Sequence, residues 1–342
     1  MNAQASDGTV VEYPESSSSI PNQTIQGYQT SSLYVSIPPQ PTSALRSLNQ
    51  RPKIKTGTQQ IAKLILHTLK SYPLMMLRDD SLPPYIHPNL ISSNTENNQM
   101  EPLTNCISLV HMISSKAQGS RKLFWRNVRV ECERLYQEYL KWSKWELLAA
   151  MQALSIYIIV RLDEGETDYN NFDSLLIRAV ILIAQKFSAV EFACHTQSAL
   201  TNYDIEVGWK DWIFEESRRR LAVVLRIVNM LVYFEPAALC ELRTDLIIAP
   251  LPAKKQLWEA GNEVLWKAES QKEPADFQMV FGLDVNGDLV RMDERQLSCS
   301  HRMLPPKPSD LARKTTNWEE WCSGMDGFGG LVMLASSMAL LV

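Results

Sequence analysis

This sequence of 342 residues lacks the spacings that build metal centres. Its cysteines, Cys106, Cys132, Cys194, Cys240, Cys299 and Cys322, are scattered, with no Cys-x-x-Cys pair. Its histidines, His67, His87, His111, His195 and His301, form no His-x-x-x-His or His-Glu-x-x-His spacing, and Cys299 beside His301 supplies only two ligands. The pattern assigns no metal ligand. With no signal peptide at the start, it points to a reduced intracellular chain whose thiols are small buried apolar groups.

Other absences narrow the function further. No Gly-x-Gly-x-x-Gly follows a strand, and neither a Walker loop nor a Gly-x-Ser-x-Gly elbow occurs. No catalytic or cofactor-binding residue is therefore assigned, no cofactor is implied, and the chain is not expected to be an enzyme. A positive excess is also missing: the net charge is -4 and the pI about 5.8. Without a global basic field, DNA contact must come from a local patch or a partner, and no DNA-binding residue can be named. Uninterrupted apolar runs of about 20 residues are lacking too. The most apolar segments, Leu147 to Val160 and Gly330 to Val342, are expected to be core helices, with a C-terminal anchor the competing reading of the second.

The hydrophobic content of 45% suffices for one large core or two modest ones. Between Glu15 and Arg46 no residue is charged, and Ser, Gln, Asn, Thr and Pro dominate. Such a composition buries too little apolar surface to offset the entropy of ordering it. Residues 1–57 are accordingly expected to be a disordered polar tail ending in a basic linker, Arg46 to Gly57, usable as a nuclear-import signal. Residues 58–342 form the folded body.

Helical spacing dominates that body. Ile61, Leu64, Ile65 and Leu69 line one face of a helix that Pro73 is expected to stop. Ser120 caps a helix running to Trp142, striped by Phe124, Val128, Leu135 and Tyr139. Ser143 and Glu146 then match a capping box, and Gly165 stands just beyond the following apolar helix. So short a joint predicts a helical hairpin. Further helices are expected at about Asp173 to Phe187, Lys210 to Phe234 and Pro252 to Ala268. Alternation around Asn286-Gly287 predicts one β-hairpin near residues 277–293. The fold class is all-α, an irregular multi-helix bundle or solenoid-like domain with at most that hairpin.

Several stretches invite chemistry and have plainer readings. Arg218, Arg219 and Arg220 make the densest basic run of the body, but Glu215 and Glu216 precede them in the favourable order for intrahelical ion pairs. Asp284 to Asp288 resembles the start of a calcium loop, yet its glycine comes one position early and no closing Glu follows, so a tight turn is expected. The glycine-rich Gly324 to Gly330 reads as a flexible turn leading into an apolar helix. Ser71 to Pro88, with three clustered prolines, reads as an apolar strap across helix ends that inserts Tyr85 and Ile86. A lid role for His87 is the alternative. Trp209, Trp212 and Trp258 are expected core anchors.

Seven segments, in order, are Ser71 to Pro88, Pro102 to Val110, Phe124 to Leu135, Trp145 to Leu162, Trp209 to Leu221, Leu251 to Ala260 and Trp318 to Met333. As an ordered set they resemble the helical regulatory (middle homology) region of fungal zinc-cluster transcription factors, many of which sit in secondary-metabolite gene clusters. The likeness spans about Thr58 to the C-terminus. It implies a nuclear transcriptional regulator working through contacts with the transcription machinery or a DNA-binding regulator, with metabolite sensing as a further role of such a body. The family's zinc cluster has no counterpart, because no cysteine precedes Cys106. Direct DNA binding is then expected only if an upstream zinc cluster is encoded outside this chain, and no membrane role is implied. The competing class is a small-molecule-binding protein or enzyme on the same scaffold.

Overall fold

The structure is a computed structural model that describes residues 48, 56–78, 80–92, 98–115, 117–200, 208–234, 245–272, 279–293 and 310–340. All of them fall within one compact unit, Val35–Val342. The polar tail, nearly all of the basic linker, Cys240, Cys299, His301 and the side chains of Cys194 and His195 lie outside the described residues.

Those residues form eleven α-helices and one small antiparallel sheet, so the fold is all-α with a minor β element. The helices are α1 (Thr56–Met75), α2 (Pro88–Ser92), α3 (Glu101–Ser114), α4 (Ser120–Glu138), α5 (Lys144–Glu164), α6 (Asp173–Leu200), α7 (Trp209–Leu231), α8 (Lys255–Trp258), α9 (Glu263–Lys272), α10 (Asp310–Ser323) and α11 (Phe328–Ala339). At the centre lies α5. Every residue from Leu147 to Arg161 is buried, because α1, α3, α6 and α7 all pack on it. Length and composition would let α5 cross a membrane, but here its apolar surface is covered by protein. The second apolar segment forms α11, which packs on α1.

Ser143 and Glu146 close the expected capping box of α5, and Gly165 ends the helix at φ 73°. The start of α4 touches the end of α5, where Phe124 packs on Tyr157 and the Trp125 indole donates to Glu164 at 2.7 Å, but α4 packs mainly on α3 and α6, so the expected hairpin is not a closely packed pair. Arg161 and Asp173 form a buried pair at 2.9 Å, and Asp173 also accepts the Leu48 amide at 3.1 Å.

Four boundaries differ from the sequence reading. Helix α1 runs through Pro73 to Met75, since a proline this near the end removes one N–H without stopping the last turn. Gly119, left-handed at φ 80°, occupies the N-cap of α4, and Ser120 is the first helical residue. Helix α6 continues beyond Phe187 to Leu200. The single helix expected over Pro252 to Ala268 is instead α8 and α9, broken at Ala260–Asn262, where the Asn262 side chain accepts the Leu265 amide at 2.9 Å. Leu251 to Lys254 stays non-helical because its backbone bonds to neighbours: the Leu251 amide donates to Phe281, and the Pro252 carbonyl accepts the Trp321 indole.

The hairpin forms from β2 (Met279–Asp284) and β3 (Leu289–Asp293), paired Val280 to Met292 and Leu283 to Leu289. A third strand, β1 (Leu246–Ile248), adds to β2 through a register irregularity. Asp284 closes the tight turn: its carboxylate accepts the amides of Asn286 and Asp288, each at 2.8 Å. Gly287 supplies the positive φ that the turn requires.

Candidate functional site

The densest polar chemistry in the interior is built on α7. Helical spacing places Glu216 and Arg220 one turn apart, and both side chains are buried, 1% and 0% exposed. Arg220 Nε meets Glu216 Oε1 at 2.8 Å, while Nη1 meets Asp326 Oδ2 at 2.7 Å. The same guanidinium donates to the Pro84 carbonyl at 3.1 Å and the Ala253 carbonyl at 3.4 Å. Its carbon centre lies 4.3 Å from the Trp258 ring centroid. A planar five-donor head suits this junction, because it binds two carboxylates and two carbonyls in one plane while stacking on an indole.

The partners are themselves held. Glu216 Oε1 accepts the Ala253 amide at 2.9 Å, and Oε2 lies 3.3 Å from Arg219. Asp326 Oδ1 accepts the Phe328 amide at 2.9 Å, which fixes the turn into α11. Two arginines thus face two carboxylates, so the interior carries balanced charge.

The proline-rich strap crosses this junction and plugs the core. Tyr85 and Ile86 are buried. Gln152 Nε2 donates to the Tyr85 carbonyl at 2.8 Å, and the Tyr85 hydroxyl lies 2.9 Å from Ser155 Oγ. Beside them His87, 2% exposed, has both ring nitrogens occupied. Nε2 lies 2.9 Å from the Trp258 carbonyl, and Nδ1 accepts the Asn89 amide at 3.2 Å. Those bonds require the neutral Nε2–H tautomer. Burial lowers the His87 pKa from 6.5 to about 4, and the Arg220 charge pushes the same way, against the bond to Trp258. Edge contacts with Trp258 at 4.8 Å and Trp209 at 6.4 Å complete the packing.

Segments distant in the chain therefore meet at one point: the strap, the acid-arginine run of α7, Leu251 to Ala260 and the glycine-rich turn at Asp326. The arrangement clamps, and it excludes water. A basic or nucleophilic role would need a group reachable from solvent, whereas burial raises the Tyr72, Tyr85, Tyr157, Cys106 and Cys132 pKa values by disfavouring their charged forms.

The sequence-flagged residues fall as follows. Arg218 pairs with Glu215 at 2.7 Å on the surface, so the acid-before-base reading describes all three arginines. Trp212 and Trp258 are buried, while Trp209 is half-buried. His67 and His111 are exposed. Among the described residues no three His, Cys, Asp or Glu side chains gather closely enough to hold a metal ion. Sequence reasoning missed Asp326, since Gly324 to Gly330 read as a flexible turn; an acid amid glycines directly before an apolar helix was the available signal. Comparison of the chain with family models, curated proteins and solved structures found no match.

Proposed function

We propose that this chain is the helical region of a transcriptional regulator of the fungal type, which acts in the nucleus through contacts with the transcription machinery or a DNA-binding regulator and controls a secondary-metabolite gene cluster. One observation supports the reading above others. The residues behind the resemblance to that regulatory region, the proline strap, Glu216 to Arg220, Leu251 to Trp258 and Asp326, join in a single buried clamp. A sequence pattern that serves architecture leaves the outer helix faces to make contacts, as a contact-based regulator requires. The test tethers the full chain to a foreign DNA-binding domain upstream of a reporter and follows its localisation. Altered transcription with nuclear accumulation is the expected result; an unchanged reporter together with exclusion from nuclei overturns the reading.

A further inference from the structure

We propose that the solvent face of α4, extended by Arg178 of α6, docks an acidic amphipathic helix of a partner protein. This face deepens, and rests on, the reading that the chain acts through surface contacts. Among the described residues eleven large apolar side chains stand exposed, and four of them, Leu123, Val130, Tyr136 and Leu140, belong to α4 or to the helical turn Tyr139–Lys141 that follows it. They are between 39% and 65% exposed. The buried stripe of the same helix, Phe124, Val128, Cys132 and Leu135, already faces the core. The outer four are therefore a second apolar set that the fold itself does not use.

Charge selects the partner. Ser120 to Lys141 carries six basic and three acidic residues, in a chain whose net charge is -4. All three acids are matched within the helix: Glu133 lies 3.1 Å from Arg129, and Glu131 and Glu138 lie 2.6 Å and 3.4 Å from Arg134. Lys122, Arg126 and Lys141 are exposed and form no ion pair among the described residues. Nor does Arg178, exposed on α6, which packs beside α4; its guanidinium carbon lies 5.9 Å from the Tyr136 ring centroid. Unmatched positive charge beside exposed apolar side chains is complementary to carboxylates flanking an apolar stripe.

Spacing sets the shape. Leu123 and Val130 stand about two helical turns apart, with Arg126 between them on the same face. From Leu123 to Leu140 the face runs about 25 Å at about 1.5 Å per residue, which matches a partner helix of about 17 residues. Nucleic acid fits this face less well. Glu133 stands on it and would repel a continuous run of phosphates, whereas a partner helix can place an uncharged side chain there.

The probe is a fluorescein-labelled helical peptide of about 18 residues, with leucine along one face and glutamate on both flanks, titrated with the full chain and read by fluorescence anisotropy. Saturable binding is expected although both molecules are net negative. It should weaken at least about fivefold in the double variant Arg126→Glu, Arg178→Glu and in the double variant Leu123→Ser, Val130→Ser. Exchanging the peptide's glutamates for glutamine, or its leucines for serine, should weaken it likewise. The control Lys63→Glu, exposed on α1, should bind as the parent chain does. Every substitution alters an exposed side chain, and circular dichroism checks each fold. No saturable binding, unchanged affinity in either double variant, equal binding of the glutamine peptide, or tighter binding of duplex DNA or phosphatidylserine vesicles each overturns the proposal. A silent reporter with intact peptide binding faults the regulatory reading alone, whereas an active reporter without peptide binding faults this surface alone.

Discussion

Replacing Arg220 by methionine isolates the energetics of the buried junction. Methionine fills much of the same space but donates nothing. Glu216 would keep the Ala253 amide and Arg219, whereas Asp326 would keep only the Phe328 amide and lose its cation. The carbonyls of Pro84 and Ala253 would lose a donor as well. Breaking a buried ion pair from one side costs about 3–5 kcal/mol, because the remaining charge is uncompensated. Against a total stability of about 5–15 kcal/mol this is a large fraction. Urea denaturation followed by circular dichroism and tryptophan fluorescence at pH 7 reads it as a lowered midpoint at unchanged slope. Two companions sharpen the test. Arg220→Lys keeps the charge but not the fork, and should cost about 2 kcal/mol through lost hydrogen bonds. Arg220→Met combined with Asp326→Asn removes the orphaned charge and should recover about 1–2 kcal/mol relative to Arg220→Met alone. An Arg220→Met protein within about 1 kcal/mol of the parent, or a double variant weaker than the single one, would refute the reasoning.

Three further outcomes follow from the same geometry. Trp258→Ala should cost about 3–5 kcal/mol by removing both the Arg220 stack and buried area, and half-buried Trp209→Ala clearly less; denaturant midpoints decide, and full stability in Trp258→Ala would count against its anchoring role. His87 is neutral when folded, so the unfolded chain gains a proton first: stability from this group is complete above about pH 6.5 and falls as pH drops toward about 4, by about 3 kcal/mol in all. In His87→Gln the stability-pH profile should flatten in that window; an unchanged profile would show that another group carries it. Gly287→Ala should cost about 2–3 kcal/mol, because its φ of 76° is unfavourable for alanine and the added methyl would stand 2.9 Å from Leu340 and 3.0 Å from Ser336. Gly119→Ala, left-handed at φ 80° but facing open space, should cost about 1–2 kcal/mol, so the difference in melting midpoint reports mainly the clash.

Periodicity and local hydrogen-bonding signals made much of this fold legible. Ser143 and Glu146 announced the start of α5 because a capping box is decided by four consecutive residues. Asn286-Gly287 announced the hairpin for a similar reason, and the acid-before-base order of Glu215 to Arg220 gave the intrahelical pairs. What stayed hidden depends on partners far away in sequence. Nothing near Leu251 to Lys254 reveals that Glu216 takes the Ala253 amide, and this contact keeps a plausible helix start extended. Strand β1 is three residues long and exists only because β2 offers an edge. Asp326 looked like a loop acid, since its cation lies 106 positions earlier. Ser120 had the right chemistry for a cap but stood one place late, because Gly119 could adopt the left-handed backbone.

The long reach of Arg220 bears on how the protein is made. The carbonyl of Pro84 precedes it by 136 positions and Asp326 follows it by 106, so during synthesis the strap emerges from the ribosome long before the residues that lock it. Until Asp326 appears, the nascent chain must keep an arginine and a glutamate hydrated that will later be sealed from water. The Arg220 junction therefore closes only after Asp326 has been made, which places its sealing from water late in folding.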